Sequence, residues 1–502
     1  MARNPRILVV TPEITYLPEG MGNLANRMSA RAGGLADVSA SLVAALFDLG
    51  ADVHVALPHY RRMFNIDIGR LISDELRVYQ GKLPQDRIHL AEDRIFYYRD
   101  AVYGNYGAEN PRLSLAFQRE VINNIIPTVR PDLIHCNDWM TGLIPAHARR
   151  LGIPCLFTVH NIHTVEVTLA EAEDRGIDAA EFWEYLYYVR MPGSYEQARS
   201  QVPVDLLTSG IFAAHFINTV SPTFLTEVVE GRHDFVPAHV RAELTQKFAA
   251  GCAAGILNAP DASFGPRTDR WLQYHYGPED HVEAKRRHKC EFQRASGLEV
   301  DPDAPLFLWP SRLDPVQKGC QLLAHILYDI VHEYWDERLQ VAFVSNGPYQ
   351  DVFWSIVEQH QLYGRVALCE FGEQISRDGY AASDFVLMPS RFEPCGLPQM
   401  IGPLYGSLPI AHDTGGLHDT VTPLDVTAGT GNGFRFETYD PGGLRWAIDE
   451  AMGFFRAPAA VRQREVARVM TESALRFHHA VTARAYIDLY EQMLHRPLVR
   501  GT

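Results

Sequence analysis

The sequence predicts an α/β protein of two domains, each built on a parallel sheet. Short β-rich apolar runs alternate with amphipathic segments along the chain, which is the pattern of repeated βα units. The chain has 502 residues, too many for one ordinary core. Residues 255–269, GILNAPDASFGPRTD, are dense in Gly, Pro, Asn and Asp and are the best candidate for a linker. The boundary between the domains is therefore expected there.

Apolar runs place the strands. In the first half we expect strands at RILVV, DVHVALP, DLIHC, CLFTVHN and FINTVS. In the second half we expect them at LFLWPSR, LQVAFVS, VALCEFG, DFVLMPS, LPIAHD and GFRFE. Near the C-terminus, apolar residues recur at roughly helical spacing: Leu475, Val481, Tyr486, Leu489, Tyr490 and Met493. The predicted divisions are 1–254, 255–473 and a C-terminal helix within 474–502.

Composition indicates an ordinary globular protein. Hydrophobic residues make up 46% of the chain and charged residues 21%, which excludes a disordered chain. No apolar run approaches the length of a membrane span, and the first residues, MARNPRILVV, lead into a strand without the pattern of a signal peptide. We therefore expect a cytoplasmic protein that does not enter a membrane.

Charge and cysteine content exclude further classes. The net charge of −15 argues against a nucleic-acid partner, because a phosphate-binding surface normally shows a basic excess. The seven cysteines are widely spaced and form no CxxC pair, so neither a disulfide framework nor a zinc knuckle is expected. The sequence also lacks GxxxxGK[ST], GxSxG and HExxH, the signatures of P-loop proteins, serine hydrolases and zincins.

A glycine pair opens the first candidate segment, ARAGGLADVSASLVAALFDLGADV. Apolar residues with helical spacing follow Gly33 and Gly34, so the pair lies at the start of a helix with one apolar face. Glycines there let backbone N–H groups approach an anion, and the helix dipole adds to the attraction. A tight turn that needs glycine explains the pair equally well.

Two cations mark the second candidate segment, SRLDPVQKG, which follows the predicted strand LFLW. Arg312 and Lys318 lie at a junction between a strand and a helix, where they could hold a diphosphate and neutralise its developing charge. The simpler interpretation is two solvated surface cations. The position after a strand favours the functional interpretation only modestly.

The third candidate segment is MPSRFEPCGLPQM, directly after a predicted buried strand. Glu393 lies on the loop, and the N–H groups of Cys395, Gly396 and Leu397 should point out of a helix start, where they suit sugar hydroxyls or phosphate oxygens. We interpret Cys395 as a small buried hydrophobe, because no neighbouring base would make it a nucleophile.

Other segments repeat these themes. DTGGLHDTV follows the strand LPIAH with a second Gly-Gly-Leu, which suggests a ligand held from both sides of a cleft. In the first half, polar residues follow predicted strands in DLIHCNDWMTG and FTVHNI: His135, Asp138, Trp139, His160 and Asn161. A single histidine is more often a core residue, but several polar strand ends together favour a binding site.

Taken in order, these motifs resemble the bacterial glycogen synthase and plant starch synthase family over nearly the whole chain. The matching stretches include AGGLADV, DLIHCNDWMTGLIPA, FTVHNI, GILNAPD, SRLDPVQKG, PSRFEPCGLPQ, YGSLPI, DTGGLHDTV and NGFRF. The resemblance implies a GT-B fold, with two Rossmann-like domains whose parallel sheets face a central cleft. It also implies an acceptor-side first domain, a nucleotide-sugar-binding second domain, and a C-terminal helix that crosses back to the first.

The implied activity is transfer of glucose from a nucleotide sugar, usually ADP-glucose, to the non-reducing-end 4-hydroxyl of an α-1,4-glucan. The family retains the anomeric configuration and uses neither a metal nor another cofactor. Carried over by position, Arg312 and Lys318 should contact the diphosphate, together with backbone around Gly33 and Gly34. Arg31 stands where the family usually has a lysine before Gly-Gly.

The sugar contacts implied by the resemblance come from both domains. His160 should meet the donor glucose near its 6-hydroxyl, and Glu393 with the N–H groups of Cys395 and Gly396 should meet the other hydroxyls. Glu393 would orient the sugar or stabilise positive charge at the anomeric carbon rather than form a covalent intermediate. Leu397 belongs to the same turn.

The remaining implied contacts surround the nucleotide and line the cleft. Asn258 matches a polar residue near the nucleotide, and Phe371 stands where the family often has an aromatic against the base. Asp37 and Asp138 match acids that line the cleft, and Asn161 belongs with the substrate-binding residues.

Three departures from the family pattern bear on these expectations. A planar guanidinium replaces an ammonium at Arg31, the loop of residues 16–30 is long, and Asn137 replaces the second histidine of HxHDW. The alternatives are a related GT-B transferase that uses UDP-glucose or a small acceptor, and a catalytically weak glucan-binding homologue. A phosphorylase ranks last, because nothing marks a pyridoxal-phosphate lysine. The sequence carries no prediction of oligomeric state.

Overall fold

The computed structural model describes residues 4–22, 25, 28–64, 87–104 and 109–499. The chain divides into two compact units, Met1–Asn258 with His479–Thr502, and Ala259–His478. The sequence suggested divisions after residues 254 and 473. The first division comes later because residues 253–255 form a strand of the first unit's sheet, and the second because a helix of the second unit runs on to residue 476.

A parallel sheet forms the centre of the first unit. Among the described residues it has seven strands in the order β3-β2-β1-β4-β5-β8-β9. Its inner strands are runs of mostly buried apolar residues because helices cover both faces, as in other parallel sheets. A short antiparallel pair, β6 and β7, lies apart from this sheet. The strands are β1 (Arg6–Val10), β2 (Asp52–Pro58), β3 (Ile88–Ala91), β4 (Leu133–Asn137), β5 (Cys155–Val159), β6 (Glu166–Val167), β7 (Val204–Asp205), β8 (Phe216–Thr219) and β9 (Ala253–Gly255).

Helices connect these strands in the βα order that the sequence predicts. They are α1 (Gly34–Asp48), α2 (Arg94–Tyr97), α3 (Glu109–Glu120), α4 (Ile126–Val129), α5 (Ile144–Arg150), α6 (Leu169–Asp174), α7 (Tyr195–Gln201), α8 (Leu206–Ala213), α9 (Pro222–Val229) and α10 (Ala238–Ala249). A π-helical segment, Val121–Ile125, joins α3 to α4. The helical spacing of apolar residues predicted after Gly34 continues to Leu49, but helix α1 ends before this residue. Leu49 is 43% exposed and lies outside the buried face.

The second unit has its own parallel sheet, in the order β12-β11-β10-β13-β14-β15. Its strands are β10 (Leu306–Trp309), β11 (Gln340–Val344), β12 (Val366–Cys369), β13 (Phe385–Met388), β14 (Leu408–His412) and β15 (Phe434–Phe436). The helices of this unit are α11 (His281–Ser296), α12 (Cys320–Glu333), α13 (Gln350–His360), α14 (Glu373–Ala382), α15 (Pro398–Leu404), α16 (Gly415–Thr420), α17 (Pro441–Phe455) and α18 (Ala459–Arg476).

Helix α19 (His479–Leu494) belongs to the first unit and packs against α1. Tyr486 and Tyr490 on its inner face are buried. The helix predicted from residue 474 is wrong at its start, because α18 ends at Arg476 and a break precedes α19. Leu475 and Val481 are accordingly 73% and 55% exposed rather than part of the apolar face.

Every strand predicted from the sequence occurs, although several predicted runs extend beyond the strand into the loop that follows. The sequence missed β3, β9 and the pair β6 and β7, which are short and only partly apolar. No helix in the described part of the chain is long and apolar enough to cross a membrane.

Candidate functional site

In each unit the strand order reverses at one point, and the candidate segments follow the strands that flank it. In the first unit β1 lies between β2 and β4, and in the second β10 lies between β11 and β13. Connections from two neighbouring strands leave in opposite directions at such a point, which opens a crevice at the carboxyl ends where ligands bind. The sequence-predicted segments after β4, β10 and β13 therefore lie where a parallel sheet accepts a ligand.

The central contact in the second unit joins Lys318 to Glu393. The Lys318 Nζ donates to Glu393 Oε2 at 2.6 Å, and the Ser390 hydroxyl donates to the same oxygen at 3.0 Å. Glu393 is only 4% exposed. Within the described residues, both side-chain contacts of Glu393 go to this one oxygen, so the other oxygen can accept from a ligand.

The loop after β10 holds Lys318 by local hydrogen bonds. Asp314 Oδ1 accepts from the N–H groups of Val316 and Gln317, while the Asp314 carbonyl accepts from the N–H of Lys318. Gly319 follows with φ of +72°. A Cβ there would lie 1.9 Å from the carbonyl oxygen of Pro389, so glycine is required by both conformation and space.

The main chain of the turn after β13 is held by hydrogen bonds that do not involve the Glu393 carboxylate. The Glu393 carbonyl accepts from the N–H of Gly416, at the start of α16. Gln399, fully buried, donates to the carbonyls of Cys395 and Gly396 and to the Thr420 hydroxyl. These bonds hold the main chain of the turn in one conformation.

The three backbone positions predicted to bind sugar lie in this turn. Cys395 is 4% exposed, as expected for a small buried hydrophobe. Gly396 has φ of +75°, and Leu397 is the N-cap residue of α15, with no side-chain hydrogen bond at the cap. The helix itself begins at Pro398, whose missing N–H is tolerated in the first turn.

Arg312 and Phe371 are the most exposed of the predicted residues in the second unit. Arg312 lies on the loop after β10 and makes no ion pair within the described residues. Phe371 is 51% exposed at the end of β12, where its N–H donates to Asn346 Oδ1 at 3.0 Å. Its ring is therefore available to stack on a planar group.

In the first unit, Asp138 organises the ends of β4 and β5. Its Oδ1 accepts from the N–H of His160 at 2.9 Å, and its Oδ2 accepts from the Asn161 amide at 3.4 Å. Its backbone has φ of 58° and ψ of 178°, a conformation that costs about 1–3 kcal/mol outside glycine. Burial raises the pKa of Asp138 to about 7, against the opposing effect of these hydrogen bonds.

His160 faces Asn137 across the same two strand ends. The imidazole Nε2 lies 3.0 Å from Asn137 Oδ1, and burial lowers the pKa of His160 to about 3. The ring is therefore neutral at physiological pH. A neutral imidazole can present one nitrogen as an acceptor to a ligand hydroxyl.

Glu13, which sequence reasoning missed, holds the predicted glycine loop. Its Oε2 accepts from the N–H groups of Ala32 at 2.5 Å and Gly33 at 3.0 Å, and its Oε1 accepts from the Tyr103 hydroxyl. Gly33 is the extended N-cap residue of α1, and the helix begins at Gly34. The N–H of Gly33 thus already has a carboxylate partner, although both glycines are exposed.

Arg31 and Asp37 form an ion pair at the start of α1. The Arg31 guanidinium donates to Asp37 Oδ2 at 2.9 Å, and the Thr15 hydroxyl donates to Asp37 Oδ1 at 2.7 Å. Asp37 is 2% exposed, whereas the Arg31 side chain is 37% exposed. Residues 23–24 and 26–27 of the preceding long loop lie outside the described residues.

Asn258 is the one predicted site residue that falls in a different unit from the one assigned. The sequence placed it in the second domain, but it ends the first segment of the first unit, because the chain stays with that unit beyond β9. Its buried Oδ1 has no hydrogen-bond partner among the described residues. An orphan amide oxygen of this kind suits a ligand donor.

The structure thus groups the predicted residues by unit. Arg31 with Asp37, and Asp138 with His160 and Asn161, are joined in the first unit; Lys318 and Glu393 are joined in the second. Glu13 could have been found, because it follows the strand RILVV almost directly. Tyr103 and Gln399 carried no such signal.

Within the described ranges, no cluster of three or more His, Cys, Asp and Glu residues is placed to hold a metal ion.

Comparison with known proteins agrees with this architecture. Residues 6–237 match the model of the starch synthase catalytic domain. A glycogen synthase from Moorella thermoacetica is 31% identical over 525 aligned positions, covering 98% of this chain and 97% of that protein. The chain belongs to the glycogen synthase family. A glycogen synthase from Bacillus subtilis is 29% identical, with 92% of this chain and 95% of that one covered.

A solved structure extends the match to the fold. The catalytic domain of starch synthase IV from Arabidopsis thaliana, bound to ADP and acarbose, has a TM-score of 0.77 and 25% identity, covering 98% of this chain and 100% of that one. The predicted GT-B fold of two Rossmann-like domains is confirmed. As a member of the glycogen synthase family, the chain is a glycosyltransferase with glycogen or starch synthase activity.

Proposed function

We propose that this synthase transfers glucose from ADP-glucose to the 4-hydroxyl at the non-reducing end of an α-1,4-glucan, with retention of configuration and without a metal. The observation that carries the proposal is the contact between Lys318 and Glu393 beyond two adjacent strands at the switch point of the second sheet. Sugar-diphosphate chemistry needs a cation and a hydroxyl acceptor side by side, and this contact supplies both.

The donor diphosphate is assigned to Lys318 and Arg312. Lys318 already shares its charge with Glu393, whereas Arg312 has no ion pair in the described part of the chain and offers a full positive charge. Bidentate guanidinium contacts suit phosphate oxygens. As the diphosphate leaves, these two cations stabilise the charge that develops on it. In the first unit, the backbone at Gly34 and the Arg31 guanidinium are the groups assigned to phosphate, since the N–H of Gly33 already donates to Glu13.

The donor glucose is assigned to Glu393 and the turn that follows it. The oxygen of Glu393 that lacks a protein contact accepts from a sugar hydroxyl, and the backbone at Cys395, Gly396 and Leu397 offers N–H donors. Because Lys318 and Ser390 hold the other oxygen, the carboxylate orients the sugar rather than attacking it. Retention then follows a front-face route, in which the leaving diphosphate accepts the proton of the incoming hydroxyl.

In the first unit, His160 is assigned to the donor sugar near its 6-hydroxyl. Its neutral ring provides an acceptor. Asp138, which accepts from the backbone N–H of His160 and from the Asn161 amide, holds the main chain there. The acid Asp37, held by Arg31, completes the first unit's set of polar groups.

The adenine base is assigned to Phe371 of the second unit, and Asn258 of the first unit is assigned to a polar contact with the nucleotide. The exposed ring of Phe371 offers a stacking surface, and the orphan oxygen of Asn258 can accept from an amino group. The matched starch synthase IV structure contains ADP, which supports the same nucleotide here. UDP-glucose is the alternative donor, because uracil can also stack on an aromatic ring.

The test measures incorporation of glucose into maltooligosaccharides from ADP-glucose and from UDP-glucose in parallel, with and without EDTA. We expect strong transfer from ADP-glucose that EDTA leaves unchanged, and α-1,4 linkages in the NMR spectrum of the product. Preference for UDP-glucose would overturn the base assignment, and loss of activity in EDTA would overturn the metal-free chemistry. Glucan binding without transfer from either donor would show a binding homologue.

A further inference from the structure

Asn137 holds the His160 ring through a hydrogen bond whose direction the surrounding main chain determines. The Asn137 side chain is 4% exposed, and its Nδ2 donates to the carbonyl of Val10, the last residue of β1, at 3.2 Å. A carbonyl oxygen can only accept, so the amide nitrogen must face Val10. The amide oxygen must then face His160, whose Nε2 lies 3.0 Å away.

This arrangement allows only one tautomer of the neutral imidazole. An amide oxygen accepts but does not donate, so His160 Nε2 must carry a proton to make the bond. With a neutral ring, Nδ1 then has no proton and offers a lone pair. Nδ1 has no hydrogen-bond partner among the described residues, so this acceptor is available to a ligand.

We propose that Asn137 is a positioning residue that fixes His160 as the neutral tautomer protonated at Nε2, so that Nδ1 accepts a hydrogen bond from a hydroxyl of the donor glucose. The role of His160 toward the sugar rests on the proposed function, whereas the tautomer itself does not. A carboxamide suits the task because it is uncharged. It orients the ring without promoting protonation, whereas a carboxylate in the same place would favour the protonated ring.

Titratable groups also act on His160 or on the residues around it. Asp138 accepts from the backbone N–H of His160, Glu13 acts electrostatically on Asp138, and His135 is electrostatically coupled to His160. Among the described residues, however, the ring nitrogens of His160 form a hydrogen bond only with Asn137. The identity of residue 137 therefore decides which ring nitrogen of neutral His160 carries the proton.

The tautomer is measured directly in the free protein by two-bond proton–nitrogen NMR with labelled histidine. The chain has 21 histidines, so the His160 signals are assigned by their loss in His160→Gln. We expect the wild-type ring to be neutral and protonated at Nε2 from pH 6 to 8, and Asn137→Ala to show a mixture of tautomers. A wild-type ring protonated at Nδ1, or doubly protonated at pH 7, overturns the proposal.

Kinetics give the second readout. Asn137→Ala should lower kcat/KM for the donor about tenfold, equivalent to ~1.4 kcal/mol, with the acceptor KM little changed. The Tm should fall as well, because the Nε2–H of His160 loses its partner. Asn137→His should restore both rate and tautomer, because an imidazole can also donate to Val10 and accept from His160. A purely structural role for Asn137 would lower Tm in Asn137→Ala while both the tautomer and kcat/KM for the donor stayed as in the wild type, which overturns the proposal.

The dependence of kcat/KM on pH separates the effect of charge at residue 137 from the effect of side-chain shape. Asn137→Asp should raise the pKa of His160 and add an acidic limb to kcat/KM near neutral pH. Asn123→Asp makes the same change at an exposed position of the first unit and should leave the profile unchanged. An Asn137→Asp profile parallel to that of the wild type contradicts the proposal. If the wild type transferred no glucose, the proposed function would fail, while the NMR measurement would still decide the tautomer.

Discussion

Lys318 Nζ and Glu393 Oε2 lie 2.6 Å apart, although 75 positions separate the two residues in the sequence. The contact exists because β10 and β13 are neighbours in the sheet, so the loops that follow them leave the same edge. The side chains are 13% and 6% exposed. A pair of opposite charges this buried depends on both members, because either one alone would be an uncompensated charge.

Replacing Glu393 should therefore affect both activity and stability. Glu393→Gln preserves the shape of the side chain but removes the charge, so we expect glucose transfer to fall at least about 100-fold. Breaking a buried pair typically costs about 3–5 kcal/mol, so the unfolding temperature should also fall. The measurements are initial rates with ADP-glucose and thermal unfolding. Glu370→Gln, at an exposed position, should change neither. Retention of most activity in Glu393→Gln would show that the carboxylate does not orient the sugar.

Two glycines with the same backbone conformation test the loop that carries Lys318. Gly319 and Gly297 have φ of +72° and +78°, but a Cβ at Gly319 would lie 1.9 Å from the Pro389 carbonyl, whereas one at Gly297 would meet nothing within 4 Å. Gly297→Ala should cost about 1 kcal/mol through its backbone alone. Gly319→Ala should cost more and should also raise the KM for the donor. Equal unfolding temperatures and unchanged kinetics in the two variants would contradict a close approach to Pro389.

Apolar runs of the sequence predicted the strands well because burial on both faces makes a parallel strand a continuous hydrophobic segment. Loops placed directly after such strands could also be assigned to a site, since all carboxyl ends of a parallel sheet lie at one edge. Lys318 and Glu393 were found by this reasoning. Their mutual contact was not, because strand order depends on long-range pairing that no local pattern encodes.

The same limit explains what the sequence missed or misplaced. Glu13 lies 19 and 20 positions from its N–H partners at Ala32 and Gly33, so its role required the path of a whole loop. The break between α18 and α19 left no Pro or Gly at the junction, so helical spacing was extended across it. Whether the predicted residues contact substrate stays a prediction.

Stability should depend on pH through Asp138. Its pKa is about 7 in the folded protein against an ordinary value of 3.8, so the folded state binds the proton more tightly. The stability that this tighter proton binding gives the folded state is fully present below about pH 3.8 and is lost as the pH rises through about 7. The shift of about 3 units corresponds to ~4 kcal/mol. Asp138→Asn should therefore gain stability relative to the wild type as the pH rises from 4 to 7.

The difference between the two unfolding curves isolates this carboxyl, because other titrating groups are common to both proteins. Buried His135 and His160, whose pKa values are lowered to about 3, oppose folding as the pH falls below about 6.5 in wild type and variant alike. Unfolding free energies at several pH values from 4 to 8 give the comparison. Curves that stay parallel across this range would mean that Asp138 is ionised throughout in the folded protein.

The last helix should contribute to the first unit through two tyrosine hydroxyls. Tyr490 is 2.7 Å from Nδ1 of buried His135, and the Tyr486 hydroxyl accepts from the Asn218 amide at 3.0 Å. Tyr490→Phe keeps the ring but leaves the histidine nitrogen unpaired, which should cost about 1–3 kcal/mol. Tyr98→Phe, which alters a 67% exposed ring of the same unit, is the control and should be nearly neutral.

Each kilocalorie per mole should lower the unfolding temperature by about 2–4 °C in a unit of this size, so the loss in Tyr490→Phe is measurable by calorimetry. The variant should keep its activity at temperatures well below the transition, because His135 lies inside the sheet network rather than at the strand ends that face the ligand. The His135 Nε2 is hydrogen-bonded to Thr158, which in turn donates to Asn218, so α19 is linked to three strands by one chain of buried hydrogen bonds.

Tyr486→Phe interrupts the other end of that chain of hydrogen bonds. Since the two tyrosines share the chain, the loss of stability in the double variant should differ from the sum of the losses in the single variants. Additive losses would mean that each hydroxyl acts only on its own partner.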